Sequence, residues 1–384
     1  MKIVDICGFY APQGGGVRTY VDQKLRLGCA GGHEIVIVAP GQERRSERRG
    51  PGARIEWVPG RRFPLDRRYH YFTDVEPIYD LLDIEDPDVV EASSPWRTAR
   101  IVADWPGDAP RSLIMHADPA AAYAYRWLEG VAEPETVDRS IFWFWSRLRE
   151  IGSRYDAVIS ANRSLSGRLA AQGIAHVVTN PLGVEGSLFS SQLRDEQLRT
   201  RMLARCSLPP EATLLIGVGR HGPEKRWPLV IDAVTAAGFD RPVGLIIVGD
   251  GRERTRVTRQ VASNPHIQLL SPIADRTALA RLMASCDALI HGCEAETFSI
   301  VVAEAVASGL PVIVPDRGAA ADHAEPGRDF IYKSASAADA ARAIGAFLDS
   351  EPQARQTPVR TMDDHFSSLF ALYEELSGSS RMAA

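Results

Sequence analysis

The residues able to do chemistry fall into three places. Arg220 and Lys225 sit in Gly219-Arg-His-Gly-Pro-Glu-Lys225, directly after the apolar run Leu214-Leu-Ile-Gly-Val218. Two cations flanking a turn at a strand's carboxyl end present a planar fork and a point charge, which suits phosphate oxygens. A loop paired internally through Glu224 is the other reading of the same run. Glu296 and Glu304 form an E-x7-E pair after the apolar run Ala288-Leu-Ile290. Glu296 falls on a polar turn, and Glu304 falls inside a helix expected over Phe298 to Ser308, which Gly309-Leu-Pro311 stops. The free N–H groups of that helix's first turn lie between the two acids. Such a helix start suits a diphosphate, and the carboxylates suit sugar or ribose hydroxyls. A solvated helix start with an ordinary surface Glu would look the same in this stretch alone. His116 closes the run Ser112-Leu-Ile-Met115. Ligands of open α/β sheets bind at strand carboxyl ends, and there the ring could hydrogen-bond a departing anion. A structural histidine is the plainer alternative.

The elements that must position these groups alternate between short apolar runs and helical stretches, the pattern of parallel sheets. Lys2–Cys7 reads as a buried strand, followed by a loop holding Gly14, Gly15 and Gly16 and a helix from about Val17 to Ala30. Glycine lets a substrate approach the backbone closely, though a tight turn alone explains the triplet as well. His33–Pro40, Pro87–Glu91, Ser112–Met115 and Asp156–Ser160 are further strands, and Asn162 or Ser164 would cap the helix after the last of them. In the second half, Gly244–Gly251 and His266–Ile273 are strands with their turns, Asp275–Cys286 is a helix, and Val312-Ile-Val314 follows the E-x7-E helix. At 384 residues the chain exceeds what one hydrophobic core usually serves. The polar stretch 186–210 is where a boundary belongs, so domains are expected at 1–187 and 188–363, with a closing amphipathic helix at about 364–380.

Composition narrows the function classes. Hydrophobic content of 45% with 24% charged residues is that of an ordinary soluble globular chain, and a formal charge of −5 gives no hint of nucleic-acid binding. Cys7, Cys29, Cys206, Cys286 and Cys293 show no metal-type spacing and read as free thiols in a reducing compartment. The N-terminus enters a strand at once, so no signal peptide is expected. No apolar run approaches the ~18 residues that span a membrane, and the expected location is cytoplasmic. Two stretches need a further account. Nine arginines against three acids lie between Arg44 and Arg68. They form either a solvated face or an edge that meets anionic lipid headgroups, where each basic residue contributes about 1 kcal/mol. Ile141-Phe-Trp-Phe-Trp145 sets four aromatics in succession on a helix, with Tyr123, Tyr125 and Trp127 nearby in sequence. At about 100° per residue they point all ways, and one core face cannot hide them all. Core packing with rim exposure and an acceptor or lipid contact through Trp143 and Trp145 both stay open.

Glu296-Thr-Phe-Ser-Ile-Val-Val-Ala-Glu304-Ala-Val-Ala-Ser-Gly-Leu-Pro-Val-Ile313 resembles the signature of retaining nucleotide-sugar glycosyltransferases of family 4, with Ser299 where that family usually has Gly. Pro12 with Gly14 to Gly16, Pro87-Asp-Val-Val90, Arg220 with Lys225, and Val248-Gly-Asp-Gly251 resemble further segments of it. The resemblance implies an α/β GT-B fold, two Rossmann-like domains with parallel sheets facing across a cleft, the last helix crossing back onto the first domain. It implies that Arg220 and Lys225 grip a donor diphosphate, Glu304 the ribose and Glu296 the sugar hydroxyls. Backbone N–H groups around Ser299, Ile300 and Val301 would meet the phosphates, beside Thr297, Phe298, Gly15, Gly16, Gly219 and Gly249. Ser271, Pro272 and Ile273 would lie against the base. His116, Glu296, Arg220 and Lys225 would be catalytic, and Gly14, Gly15, His116, Trp143 and Trp145 would face the acceptor. Neither metal nor other cofactor is expected, because the two cations would neutralise the leaving nucleoside diphosphate. The implied activity is retaining transfer of a hexosyl group from a nucleotide sugar, UDP before GDP on family frequency, to a hydroxyl of a lipid or lipid-linked glycan, with peripheral contact at the inner face of the membrane. No carboxylate pair of the kind a retaining glycosidase uses is evident, so the leaving phosphate would help deprotonate the acceptor on the same face. A 2-epimerase or hydrolase on the same fold, and a non-catalytic sugar-nucleotide-binding subunit, are the alternatives.

Overall fold

The computed structural model describes residues 1–12, 16–64, 69–116, 118, 134–185, 188–351 and 353–383. The described residues form two units, one running to Pro181 and resuming at Asp363, the other from Leu182 to Met362. The first is built on β1 (Lys2–Cys7), β2 (Glu34–Gly41), β3 (Arg45–Gly50), β4 (Ala53–Arg62), β5 (His70–Phe72), β6 (Val89–Ser93), β7 (Arg111–Met115), β8 (Ala157–Ser160) and β9 (Val177–Thr179). Their order is β3-β4-β2-β1-β6-β7-β8-β9, with β5 attached to β4. All pairings are parallel except β3–β4 and β4–β5. Runs such as Ile3–Cys7 and Ile35–Gly41 are buried at every position, as strands covered on both faces require.

The antiparallel margin holds the arginine-rich stretch. Arg45 and Arg49 pair with Glu47, and Arg54 is shared among Glu34, Glu56 and Glu85. Arg44, Arg48, Arg61 and Arg62 are exposed, while Arg67 and Arg68 lie outside the described residues. Charge on an exposed strand margin opposes edge-to-edge association.

The second unit carries β10 (Thr213–Val218), β11 (Val243–Val248), β12 (Ile267–Leu270), β13 (Ala288–Ile290), β14 (Val312–Pro315) and β15 (Phe330–Tyr332), all parallel in the order β12-β11-β10-β13-β14-β15. Alternate side chains of one strand serve opposite faces. Leu214, Ile216, Leu289, Val312 and Val314 join one core cluster, and Leu215, Ala288, Ile290 and Ile313 join the other. This unit starts ahead of the boundary expected at 187 and 188. Val184 bridges to Thr361, and Phe189, Met202 and Leu203 pack into its core.

The helix Met362–Ala383 returns to the first unit, where Phe366 and Phe370 stack at 5.8 Å and meet Tyr20 and His33. Gly28 permits that closeness, since a Cβ there would lie 2.5 Å from Ile35 Cγ1 and 3.3 Å from Phe370 Cζ.

Candidate functional site

The strand order of the second unit reverses between β10 and β13. An open parallel sheet leaves a crevice at such a point, beyond its carboxyl ends. The chain leaving β10 passes Gly219 and Arg220, turns at Pro223–Lys225, and enters the helix Trp227–Ala237. Lys225 turns inward, its side chain 11% exposed, and its Nζ donates to Glu296 Oε1 on the loop after β13. Burial pushes the Lys225 pKa down. Glycine makes the room: a Cβ at Gly219 would lie 3.2 Å from Lys225 Cε, and one at Gly249 would lie 1.9 Å from the Gly219 carbonyl oxygen. Arg220 instead points to solvent, its side chain 84% exposed with Glu224 at 3.7 Å. The pairing through Glu224 therefore exists, and it is the loose kind that contributes little.

Glu296 is only half satisfied. Its Oε2 is buried with no hydrogen-bond partner among the described residues, although His291 Nε2 stands 3.4 Å away. Burial, helped by Lys225 and His323, drives the His291 pKa well down, so a neutral ring faces that oxygen at pH 7. An unpaired buried acceptor costs about 1–3 kcal/mol, which a ligand hydroxyl would offset. His291, Cys293 and Glu296 also bring potential metal-ligand atoms within 4.8 Å of one another. The Lys225 ammonium already holds one oxygen of Glu296, and burial raises the Cys293 pKa.

The E-x7-E helix begins later than expected. Ser299 takes φ 60° and ψ 58°, and the helix runs Ile300–Ala307. A left-handed residue cannot occupy a first helical turn, and serine there costs about 1–2 kcal/mol relative to its usual conformations. Val302 and Ala303 donate back to the Ser299 carbonyl, so the amides left to face a ligand are those of Ile300 and Val301. Thr297 is half-buried. Phe298 packs rather than lines: its buried ring meets His323 edge-on at 5.0 Å, and its carbonyl accepts from His323 Nε2 at 2.7 Å. Glu304 is buried and accepts from Arg276 Nη2 at 2.9 Å. Burial raises its pKa while Arg276 opposes the rise. Arg276 lies with its guanidinium 5.3 Å from the Phe189 ring centroid. It opens a helix shortly after Ser271, Pro272 and Ile273 leave β12. The expected donor residues thus follow β12, β11, β10 and β13, four neighbouring strands, at one carboxyl edge.

In the first unit the order reverses between β1 and β6. Gly14 and Gly15 lie outside the described residues, as do Tyr123, Tyr125 and Trp127. Gly16 opens the helix Gly16–Ala30, and a Cβ there would meet nothing within 4 Å. His116 follows β7 with Nε2 3.2 Å from Ser93 Oγ and its ring edge-on to Tyr20 at 4.8 Å. Burial lowers its pKa to about 4. Helical rotation splits the aromatic run: Phe142 and Trp143 are 68% and 61% exposed, while Trp145 is 2% exposed with its indole N–H on Asp138 Oδ1 at 3.1 Å. Trp145 is therefore a core side chain with its polar atom spent, which corrects the expectation that it touches an acceptor.

Sequence reasoning missed Arg276, His291 and a buried polar cluster around Lys24. For the last a signal existed. Lys24 falls on the same helical stripe as Tyr20, Val21, Leu25 and Gly28, all buried, and a lysine on a core stripe demands a counter-ion.

Comparison with known proteins bears on the family and the fold. Residues 201–360 match the family described as Glycosyl transferases group 1, and residues 15–183 match the Glycosyl transferase 4-like domain. A GDP-mannose-dependent alpha-mannosyltransferase of Mycobacterium tuberculosis is 31% identical over 339 residues, covering 85% of this chain and 82% of the relative. A GDP-mannose-dependent alpha-(1-6)-phosphatidylinositol dimannoside mannosyltransferase of the same species is 28% identical over 320 residues, covering 82% and 79%. Among solved structures, the sucrose-phosphate synthase of Thermosynechococcus elongatus superposes with a TM-score of 0.69 at 18% identity, covering 100% of this chain and 98% of its own. The Anabaena HepE protein in complex with UDP gives 0.65 at 16%, covering 100% and 99%. The fold is the GT-B arrangement of two parallel-sheet α/β domains.

Proposed function

The chain belongs to the group 1 glycosyl transferases, and from that premise we propose that it moves a hexosyl group, with retention and without metal, from a nucleotide sugar to a hydroxyl of a lipid-linked acceptor. The observation that carries the reading is the Lys225–Glu296 contact at the strand-order reversal, with Glu296 Oε2 left buried and unpaired. Lys225 and Arg220 stabilise the departing diphosphate, and the open amides of Ile300 and Val301 add to them. Glu296 Oε2 accepts from a sugar hydroxyl, Glu304 takes the ribose, and Ser271–Ile273 border the base. Leaving-group stabilisation and positioning then supply the rate.

The donor is GDP-mannose in this proposal. Family frequency alone favours UDP, and the names of the two mycobacterial relatives, both GDP-mannose-dependent, favour GDP. The second relative's name points to a mannosylated phosphatidylinositol as the acceptor class. No helix among the described residues is long and apolar enough to cross a membrane, so such an acceptor is met at the bilayer surface, with Arg44, Arg48, Arg61 and Arg62 toward anionic headgroups. The test is transfer of radiolabelled mannose from GDP-mannose to phosphatidylinositol mannosides in vesicles, with anomeric configuration read by NMR. Label in the lipid fraction as the α-anomer supports the proposal. Free mannose without lipid product favours hydrolysis, and GDP binding without turnover on any acceptor favours a binding subunit.

A further inference from the structure

Beneath His116 lies a cluster of polar groups that the transfer mechanism does not use. Lys24 Nζ donates to Asp5 Oδ2 at 3.1 Å and to Glu91 Oε2 at 2.6 Å, and all three side chains are fully buried. Tyr373, on the C-terminal helix, donates to the same Glu91 oxygen and lies 3.0 Å from Ser112 Oγ. At the other end, Ser93 Oγ is 2.9 Å from Asp5 Oδ1 and 3.2 Å from His116 Nε2. The chain of contacts therefore runs from the C-terminal helix, through a buried lysine and two acids, to the ring of His116.

The direction of the protons in that chain is decidable. A serine hydroxyl has one proton to give. Asp5 Oδ1 has Ser93 as its hydrogen-bond donor among the described residues, the other oxygen being held by Lys24. Were the Ser93 proton turned to His116, two acceptor oxygens of buried side chains would face each other at 2.9 Å with no proton between them. A buried acceptor left in that state is costly, and a charged one more so. The Ser93 proton therefore goes to Asp5, and Ser93 Oγ must accept from the ring.

We propose that Ser93 and Asp5 are positioning residues for His116, holding its ring with the proton on Nε2 and the lone pair on Nδ1. The histidine is then an acceptor toward a substrate hydroxyl rather than a donor to a phosphate oxygen. Tyr20 packs edge-on against the ring, and among the described residues Asp5 and Lys24 act in opposite directions on its protonation. Burial and Asp5 hold the Glu91 pKa up, against the pull of Lys24. The proposal rests on the reading of His116 as a substrate-facing group, and its test separates the two.

The experiment is 15N NMR of histidine side chains at pH 7, with His116 assigned by its loss in His116→Gln. An Nε2-protonated neutral ring is expected, giving way to mixed tautomers in Ser93→Ala. On the transfer reaction, Ser93→Ala should lower kcat about tenfold, the effect of losing roughly one charge-linked hydrogen bond, with the donor KM little changed. Tyr373→Phe removes a buried hydroxyl from the far end of the cluster, and should lower the melting temperature while leaving the ring signature intact. An Nδ1-protonated ring in the wild type overturns the proposal, as does a signature unmoved in Ser93→Ala. If Ser93→Ala does not fold, the wild-type spectrum decides alone. If the chain proves to transfer nothing, the ring signature still decides the tautomer.

Discussion

Lys225 is the side chain on which the donor site can be tested most directly, because it is buried and its ammonium is held on Glu296. A charge-assisted hydrogen bond contributes about 1.5–3 kcal/mol, and a side chain this enclosed belongs at the upper end. Lys225→Met should therefore weaken GDP binding by about 2.7 kcal/mol, roughly 100-fold. At a GDP concentration 100 times the wild-type dissociation constant, the ligand stabilises the wild type by about 2.7 kcal/mol. In the variant the same concentration only equals the dissociation constant, and the stabilisation falls to about 0.4 kcal/mol. For units of this size about 1 kcal/mol corresponds to roughly 2–4 °C, so a wild-type shift of about 5–10 °C should shrink to about 1 °C. Glu296→Gln is the counterpart. It leaves Lys225 beside a neutral amide, so the free protein should melt lower, yet the GDP shift should survive because Glu296 is assigned to the sugar. What it should lose is the extra shift of GDP-mannose over GDP. A GDP shift of wild-type size in Lys225→Met would refute the diphosphate assignment, and its loss in Glu296→Gln would refute the division of labour.

Three further outcomes are expected. Stability should fall in mild acid. The unfolded chain binds protons as pH drops below the ordinary histidine value near 6.5, while His116 in the folded protein resists until about pH 4, so up to about 3 kcal/mol is lost across that window. The burial-lowered His291 and His323 act in the same direction. His116→Gln should flatten this acid limb in chemical unfolding measured from pH 4 to pH 8. Trp145→Ala should destabilise by about 3–5 kcal/mol as a core truncation, whereas Trp143→Ala should stay within about 0.5 kcal/mol and raise only the KM for the lipid acceptor. An unchanged acceptor KM would return Trp143 to the solvated surface. Chelators should leave the initial transfer rate unaltered, and restoration of a chelator-lost rate by a divalent cation would overturn the metal-free reading.

What could be read in the sequence followed from how locally each feature is encoded. Apolar runs such as Leu214–Val218 and Gly244–Val248 are continuous because their strands are covered on both faces, so the parallel sheets were legible without any long-range information. Glu296 and Glu304 were legible as a pair because seven intervening residues of loop and helix fix their spacing. Ser299 was misread because a left-handed φ belongs to glycine by habit, and the glycine usual at this position of the resembled family was the one hint that this serine adopts it. Arg276 could not have been found, since its contact with Glu304 joins residues 28 apart through a helix packing that no periodicity encodes. Lys24 marks the limit between these cases. Its place on a buried stripe announces that some carboxylate must answer it, but Asp5 and Glu91 come from strands that meet only in the folded sheet, and Tyr373 arrives from 282 residues beyond Glu91. The demand for a partner is local and its identity is not. Glu296 and Glu304 were therefore nameable in advance as a pair, while the groups that reach His116 through Ser93 had to be seen.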